Sequence, residues 1–231
     1  MWFAIVCPTV TSPRRPEPSG GNDGAWPAPL AVALAGCVVR LDPLSHQHAQ
    51  GLYEAAQPPD IWTWVHESPA ATLPAWRTWF AAALEATVAG EESAFATIDA
   101  RSGTPIGMVR LLALRPADRS VEIGSAWLTP TAWGTGASVD ACLLLMRYAF
   151  ERLGCCRVEF KTHASNTRAR AALLGLGTTF EGIHRKQRIV PGIGVRDSAW
   201  YSVIDDEWPV VEARLRARLA APDSGPAPAL G

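Results

Sequence analysis

Apolar and polar positions recur with two different periods along the middle of this chain, and the switches between them mark out its elements. Alternation or short apolar runs predict strands at Val38–Leu41, Ala94–Ile98, Ile106–Leu114, Val121–Leu128, Arg157–Thr162, Phe180–Val190 and Val195–Ile204. The last two join across Pro191-Gly192-Ile193-Gly194. Helical spacing predicts helices near Ser45–Ala56 and Leu73–Thr87, with Ser45 and Thr72 at their starts. A longer helix, Ala137 to Leu153, sets Val139, Cys142, Leu143, Met146, Phe150 and Leu153 on one face and stops at Gly154. Two more run from Asn166 to Leu176, closed by Gly177, and from Glu207 to Leu219, where Val211 and Leu215 keep helical spacing. Strands come first and then alternate with helices, which predicts an α/β fold with a mixed (α+β) sheet rather than a sandwich or a bundle. No internal repeat interrupts this order.

The ends read differently. Residues 1–35 carry Pro8, Pro13, Pro16, Pro18, Pro27 and Pro29 with Gly20, Gly21 and Gly24, a disordered leader that cannot sustain helix or sheet ladders. Residues 216–231 are the end of the last helix and a flexible Pro/Gly/Ala tail. One domain at 36–215 remains. With 48% hydrophobic and 19% charged residues it has the composition of an ordinary globule.

A net charge of −1 lacks the attraction that nucleic-acid and anionic-membrane binders show, so neither partner is expected. Cys7, Cys37, Cys142, Cys155 and Cys156 form no C-x-x-C pair and read as reduced thiols. The apolar start Trp2–Cys7 is too short for a signal peptide and has no basic residue before it. The run Leu30–Val39 is too short to span a bilayer. A cytoplasmic monomer or homodimer is expected. His46, His48, His66, His163 and His184 have no metal-ligand spacing, and no metal is expected.

Chemistry concentrates where the strand Val121–Leu128 passes through Thr129-Pro130-Thr131-Ala132-Trp133 into Gly134-Thr135-Gly136-Ala137-Ser138 and the long helix. Strand, glycine turn and helix form a phosphate cradle when the glycines admit an anion to the unpaired first-turn amides, where the helix dipole is positive. The same pattern also makes plain tight turns. No G-x-x-x-x-G-K-[ST] is present, and Val139 stands where a dinucleotide fingerprint has its third glycine, so nucleoside triphosphates and NAD fall behind.

From about Val38 to Trp208 the chain resembles the RimJ/RimL-type branch of the GNAT N-acetyltransferases. The features that carry the resemblance occur in order. They are Val39-Arg40-Leu41-Asp42-Pro43-Leu44, Glu122-Ile123-Gly124, Trp133-Gly134-Thr135-Gly136-Ala137, Asn166, Leu176-Gly177, Arg196-Asp197 and Glu207-Trp208. The resemblance implies the GNAT acyl-CoA N-acyltransferase fold and acetyl-CoA as cosubstrate. The coenzyme pyrophosphate would lie on the amides of Gly134, Gly136, Ala137 and Ser138, next to Thr135. The pantetheine arm would occupy a gap where the strand ending at Trp127 and Leu128 splays from Arg157–Thr162, within reach of Asn166. An acceptor amine, of a protein N-terminus or a small molecule, would attack the thioester directly. No local nucleophile and base pair contradicts that.

Two positions depart from the family pattern. Thr131 stands where Gln or Arg is frequent, and Ala169 where many members carry a serine proposed to protonate the leaving thiolate; Ser165 and Tyr201 are substitutes. An alkyl amine with pKa about 10.4 is only on the order of 0.1% neutral at pH 7.4, so a base is needed. Glu122 matches a carboxylate proposed for that role; it reads equally as an ion-paired strand residue. Asn166 is both a helix cap and a candidate coenzyme contact. Arg168 and Arg170 are phosphate contacts or a solvated helix face. Trp62, Trp64, Trp76 and Trp79 lie where the family places acceptor-binding elements, with core packing as the commoner role. The competing functions are a non-catalytic acyl-CoA-binding module and, behind it, a nucleotide-binding oxidoreductase.

Overall fold

The computed structural model describes residues 26, 30–64, 68–190 and 194–221. Readings that fall on residues 1–25, 27–29, 191–193 and 222–231, and on His66, lie outside these. Eight strands form one sheet: β1 Leu34–Ala35, β2 Val39–Pro43, β3 Ser93–Asp99, β4 Pro105–Arg115, β5 Ser120–Leu128, β6 Arg157–His163, β7 Thr179–Val190 and β8 Gly194–Ile204. Their spatial order is β1-β2-β3-β4-β5-β6-β8-β7. Every neighbouring pair is antiparallel except β5 and β6.

Both faces of the sheet are covered, so its central strands are buried on alternate residues in both directions. On one face α1 (Ala49–Ala55) and α2 (Leu73–Val88) bury Leu52, Trp76 and Phe80 against Ala94, Ala96, Ile98 and Met108. On the other, α3 (Ala137–Arg147) and α5 (Trp208–Ala220) bury Val139, Leu143, Val211 and Leu215 against Val39, Leu41, Val121 and Val158. The helix expected from Asn166, α4 (Thr167–Gly175), lies on this second side, where its Arg170 donates to Tyr201 Oη at 2.9 Å.

Three local expectations need correction. The helix from Ala137 to Leu153 does not stay α-helical: Tyr148–Arg152 is one π-helical turn, with Leu153 N–H on the Tyr148 carbonyl at 3.0 Å. The wider turn rotates the burial face and brings Phe150 to stack on Trp208, with centroids 5.1 Å apart. Ser45–Ala56 begins as a short 3-10 turn over His46–His48 before α1. The leader boundary at residue 35 is too late, because β1 pairs with β2 and Trp26, Leu30, Ala31, Val32 and Leu34 pack on the core.

Asp140 explains how that segment is tied down. Its buried carboxylate, in the first turn of α3, accepts the N–H groups of Val38 at 2.7 Å and Val39 at 2.9 Å. A Cβ at Gly36 would meet Asp140 Oδ2 at 2.3 Å, so only glycine fits there. Cys142, Cys155 and Cys156 are free, as expected, whereas Cys37 is disulfide-bonded and departs from the expectation of reduced thiols. No helix among the described residues is long and apolar enough to cross a membrane.

Candidate functional site

The parallel pairing of β5 with β6 is brief. It runs through Ser120↔Arg157, Val121↔Val158 and Glu122↔Glu159, and stops. Beyond Glu122 the strands separate, because β5 carries a bulge: Trp127 and Gly124 oppose Met108 and Arg110, so three residues of β5 span two of β4. Ser125 holds the bulge with φ +49°, and Ser125 and Ala126 are exposed beside the opening. A bulge that re-aims a strand in this way leaves a slot through the sheet. The helices α3 and α4 flank it on one face, and α1 and α2 with Trp62 and Trp64 on the other.

At the α3 side β5 leaves through Trp133, whose indole Nε1 donates to the Leu128 carbonyl at 2.9 Å, into Gly134 (φ +79°) and Gly136 (φ +86°). Both angles are in the left-handed region that favours glycine. Gly136 caps α3 without a side chain, so nothing of its own occupies the first-turn amides. One amide of the expected set is partly engaged: Ala137 N–H makes a long bond of 3.4 Å to Thr135 Oγ1, and that hydroxyl donates to the Ala132 carbonyl at 2.8 Å. A Cβ on Gly134 would meet no protein atom within 4 Å, so the cradle is open at that point. Gly134, Thr135, Gly136, Ala137 and Ser138 are therefore together at a helix N-terminus, with room for an anion.

Asn166 stands across the slot at the start of α4. Its Oδ1 takes the Ala169 N–H at 3.0 Å, so the capping role is real and only its Nδ2 remains for a ligand. From the same turn Arg168 stacks on Trp133, 3.6 Å from the ring centroid, and joins the two lips of the slot. Ser165 is exposed in the preceding turn, its N–H on His163 Nδ1, while Tyr201 is fully buried with its hydroxyl oriented by Arg170. Leu128 borders the loop as expected. Trp127 does not turn its ring to the coenzyme side: the indole lies among Trp62, 5.4 Å away, and Trp76, 6.3 Å away, on the α1–α2 face.

Glu122 is buried at 2% exposure and receives Lys161 Nζ at 2.7 Å. The ion-paired reading is therefore present in the molecule, and it tempers the role of general base without removing it. Lys161 also lies 5.3 Å from the Trp200 ring, which continues a polar row across β5, β6 and β8. Arg110, on β4 opposite Gly124, was not singled out by its sequence. Its Nη1 meets Glu92 at 2.9 Å and its guanidinium packs 4.7 Å from the Trp79 ring. The signal was there, as a lone arginine between Met108 and Leu112 on the buried period of a strand.

Burial pushes the Cys142 and Cys155 thiols up to about 12, which makes both poor nucleophiles. Among the described residues no group of three or more His, Cys, Asp or Glu is placed to hold a metal ion.

The acetyltransferase (GNAT) domain family matches residues 39–179, more than half of the chain. A GCN5-related N-acetyltransferase from Brucella melitensis is 35% identical, covers 87% of this chain and 90% of its own, and superposes with a TM-score of 0.79. YdaF of Bacillus subtilis (strain 168), a relative whose name carries the words ribosomal N-acetyltransferase, is 34% identical over 106 residues. That alignment takes in 46% of this chain and 57% of YdaF, so this chain spans little more than half of that relative. Mycobacterium smegmatis RimJ, solved with CoA-disulfide, shares the fold at 20% identity and a TM-score of 0.68, over 81% of this chain and 93% of that one. With a glycine turn leading into α3, a sheet split beyond Glu122 and a family match that spans both, the chain belongs to the GNAT acetyltransferases.

Proposed function

We propose that this protein transfers an acetyl group from acetyl-CoA to a primary amine, of a protein N-terminus or a small molecule, by direct attack in a ternary complex, in the manner of RimJ/RimL-type enzymes. The observation that carries this reading is the slot between β5 and β6, with an open anion cradle on one side and an aromatic wall on the other. When bound, acetyl-CoA supplies the acyl group as an activated thioester. The amides of Gly134, Gly136, Ala137 and Ser138 hold the pyrophosphate, with Thr135 shaping the turn. Trp127 and Leu128 supply backbone along the pantetheine arm and Asn166 its Nδ2. Arg168, stacked on Trp133, adds positive charge at the mouth.

On the opposite face Glu122 draws the acceptor ammonium toward the slot and takes its proton, directly or through water. Lys161 holds the carboxylate in place. Poor thiol nucleophiles at Cys142 and Cys155 go with attack by the amine itself rather than through an acyl-enzyme. A cytoplasmic site of action completes the reading.

Acetyl-CoA at about 100 times its Kd should stabilise the protein by about 2.7 kcal/mol, roughly 5–10 °C in Tm, with no effect of NAD. Thiol release with a panel of amines then reports turnover. Coenzyme binding without thiol release from any amine would leave a binding module and overturn the transferase reading; no shift with any acyl-CoA would overturn both. Glu122→Gln should keep coenzyme affinity and lower the rate by about 10²-fold, the lower end of general-base effects, because the ion pair already compensates the carboxylate.

A further inference from the structure

Among the described residues, every buried side-chain polar atom without a hydrogen-bond partner is an N–H donor. They are Nε and Nη2 of Arg110, Nε1 of Trp127, Nε of Arg196 and Nε1 of Trp200. Native proteins rarely leave such donors unpaired, and a set with one polarity suits a ligand of the other. Arg110 is the most telling of them. Its side chain is only 11% exposed and Glu92 takes Nη1 alone.

The Nε and Nη2 hydrogens form one edge of the planar guanidinium, the fork that matches both oxygens of a carboxylate. Arg40 uses that edge in this same molecule to hold Asp42, Nε to Oδ1 at 2.6 Å and Nη2 to Oδ2 at 2.9 Å. At Arg110 the edge has no taker. Trp79 lies over the guanidinium, and Trp62 links Trp79 (6.4 Å) to Trp127 (5.4 Å), so the fork sits against an apolar wall with a further unpartnered indole N–H nearby. Arg110 opposes Gly124, two residues from Glu122 on the neighbouring strand. A cation and an anion therefore stand on adjacent strands, separated by little more than one two-residue strand repeat of roughly 7 Å.

We propose that the amine acceptor also carries a carboxylate, gripped by the Nε–Nη2 edge of Arg110 while the ammonium faces Glu122 and apolar substituents pack on Trp62, Trp79 and Trp127. Amino acids and acceptors of similar reach have this chemistry; polyamines do not. The proposal takes its reaction from the acetyl-transfer reading, but the fork itself is argued from Arg110 alone.

The test uses acceptor pairs that differ only at the carboxylate: L-phenylalanine against L-phenylalaninamide, and L-leucine against L-leucinamide. The parent protein should favour the carboxylate member by at least roughly tenfold in kcat/KM. Arg110→Lys, which keeps the charge but not the fork, and Arg110→Gln should bring that ratio to near one, the loss falling on the carboxylate member of each pair. Equal use of both members by the parent protein would overturn the proposal. So would an Arg110→Lys protein that loses both members equally, since that marks a merely structural arginine.

Calorimetric titration of the same four compounds into the CoA-saturated protein separates the two readings. If no amine releases thiol, yet L-phenylalanine binds the parent and not Arg110→Lys, the fork stands and acetyl transfer falls. If neither amino acid binds, the fork falls whatever the turnover.

Discussion

Placing a side chain on Gly134 tests the anion cradle with unusually little interference from the rest of the protein. A Cβ there would touch nothing within 4 Å, so the folded state is charged only for the backbone angle of φ +79°. For alanine that strain is about 1–2 kcal/mol, a fall of roughly 2–8 °C in Tm for a domain of this size. Asparagine tolerates the left-handed region better and should cost less. Gly134→Asn and Gly134→Asp then form a matched pair that differs in one negative charge. Against a pyrophosphate at the first-turn amides, that charge should weaken binding by roughly 1–3 kcal/mol after screening, between about 5- and 150-fold in Kd. Calorimetric titration with acetyl-CoA gives the two constants, and the gap between them should narrow as salt is raised. Equal Kd values for the Asn and Asp forms, at low salt and with both proteins folded, would refute the cradle.

A form beginning at residue 36 lacks β1 and the packed Leu30, Val32 and Leu34, and should lose roughly 2–3 kcal/mol, or 5–10 °C in Tm, relative to one beginning at residue 26. Asp140→Ala leaves two N–H groups, of Val38 and Val39, without their acceptor and should cost roughly 2–4 kcal/mol by chemical denaturation, with Asp140→Asn recovering part of it. Glu159 and Glu181 bear on acid stability. Burial pushes Glu159 up, but hydrogen bonds from Arg157 and Arg115 outweigh it and hold it below the usual range; the Arg157 bond lowers Glu181. Folded values below unfolded ones mean stability that is present above about pH 4.3 and lost as pH falls through the lowered values. Arg157→Gln should therefore lower Tm most at pH 6–8, where that stability is fully present, and the gap to the parent protein should close as pH falls, which flattens the acid limb of the Tm-against-pH curve.

What the sequence disclosed and what it hid follow from the range over which its signals act. Periods of two and 3.6 are local, and they located seven of the strands and the main helices to within a few residues. The glycine turn before α3 was equally local and was legible as a cradle. Glu122 and Lys161 are 39 residues apart in sequence, and only the β5–β6 pairing brings them to 2.7 Å. The same is true of Asp140 and Val38, 102 apart. Arg110 lay on a predicted strand as one polar residue among apolar ones, and nothing short of the register with Gly124 ties it to the slot. Trp127 reads as a coenzyme contact because the strand leads there, while its ring lies on the α1–α2 face. The bulge at Ser125 reverses which face the following residues present, and periodicity alone does not reveal a bulge.

The slot through the sheet divides labour between stretches of chain that are distant in sequence. On the proposed function, coenzyme contacts would come from residues 127–138 and 166–168, and the acceptor wall from α2, Trp62 and β4. Changes along residues 59–64 and 68–92 would then bear on which amine is admitted without touching a single amide of the cradle. Mutational drift in one half is invisible to the other, and a library confined to that segment would search acceptor chemistry against a constant donor.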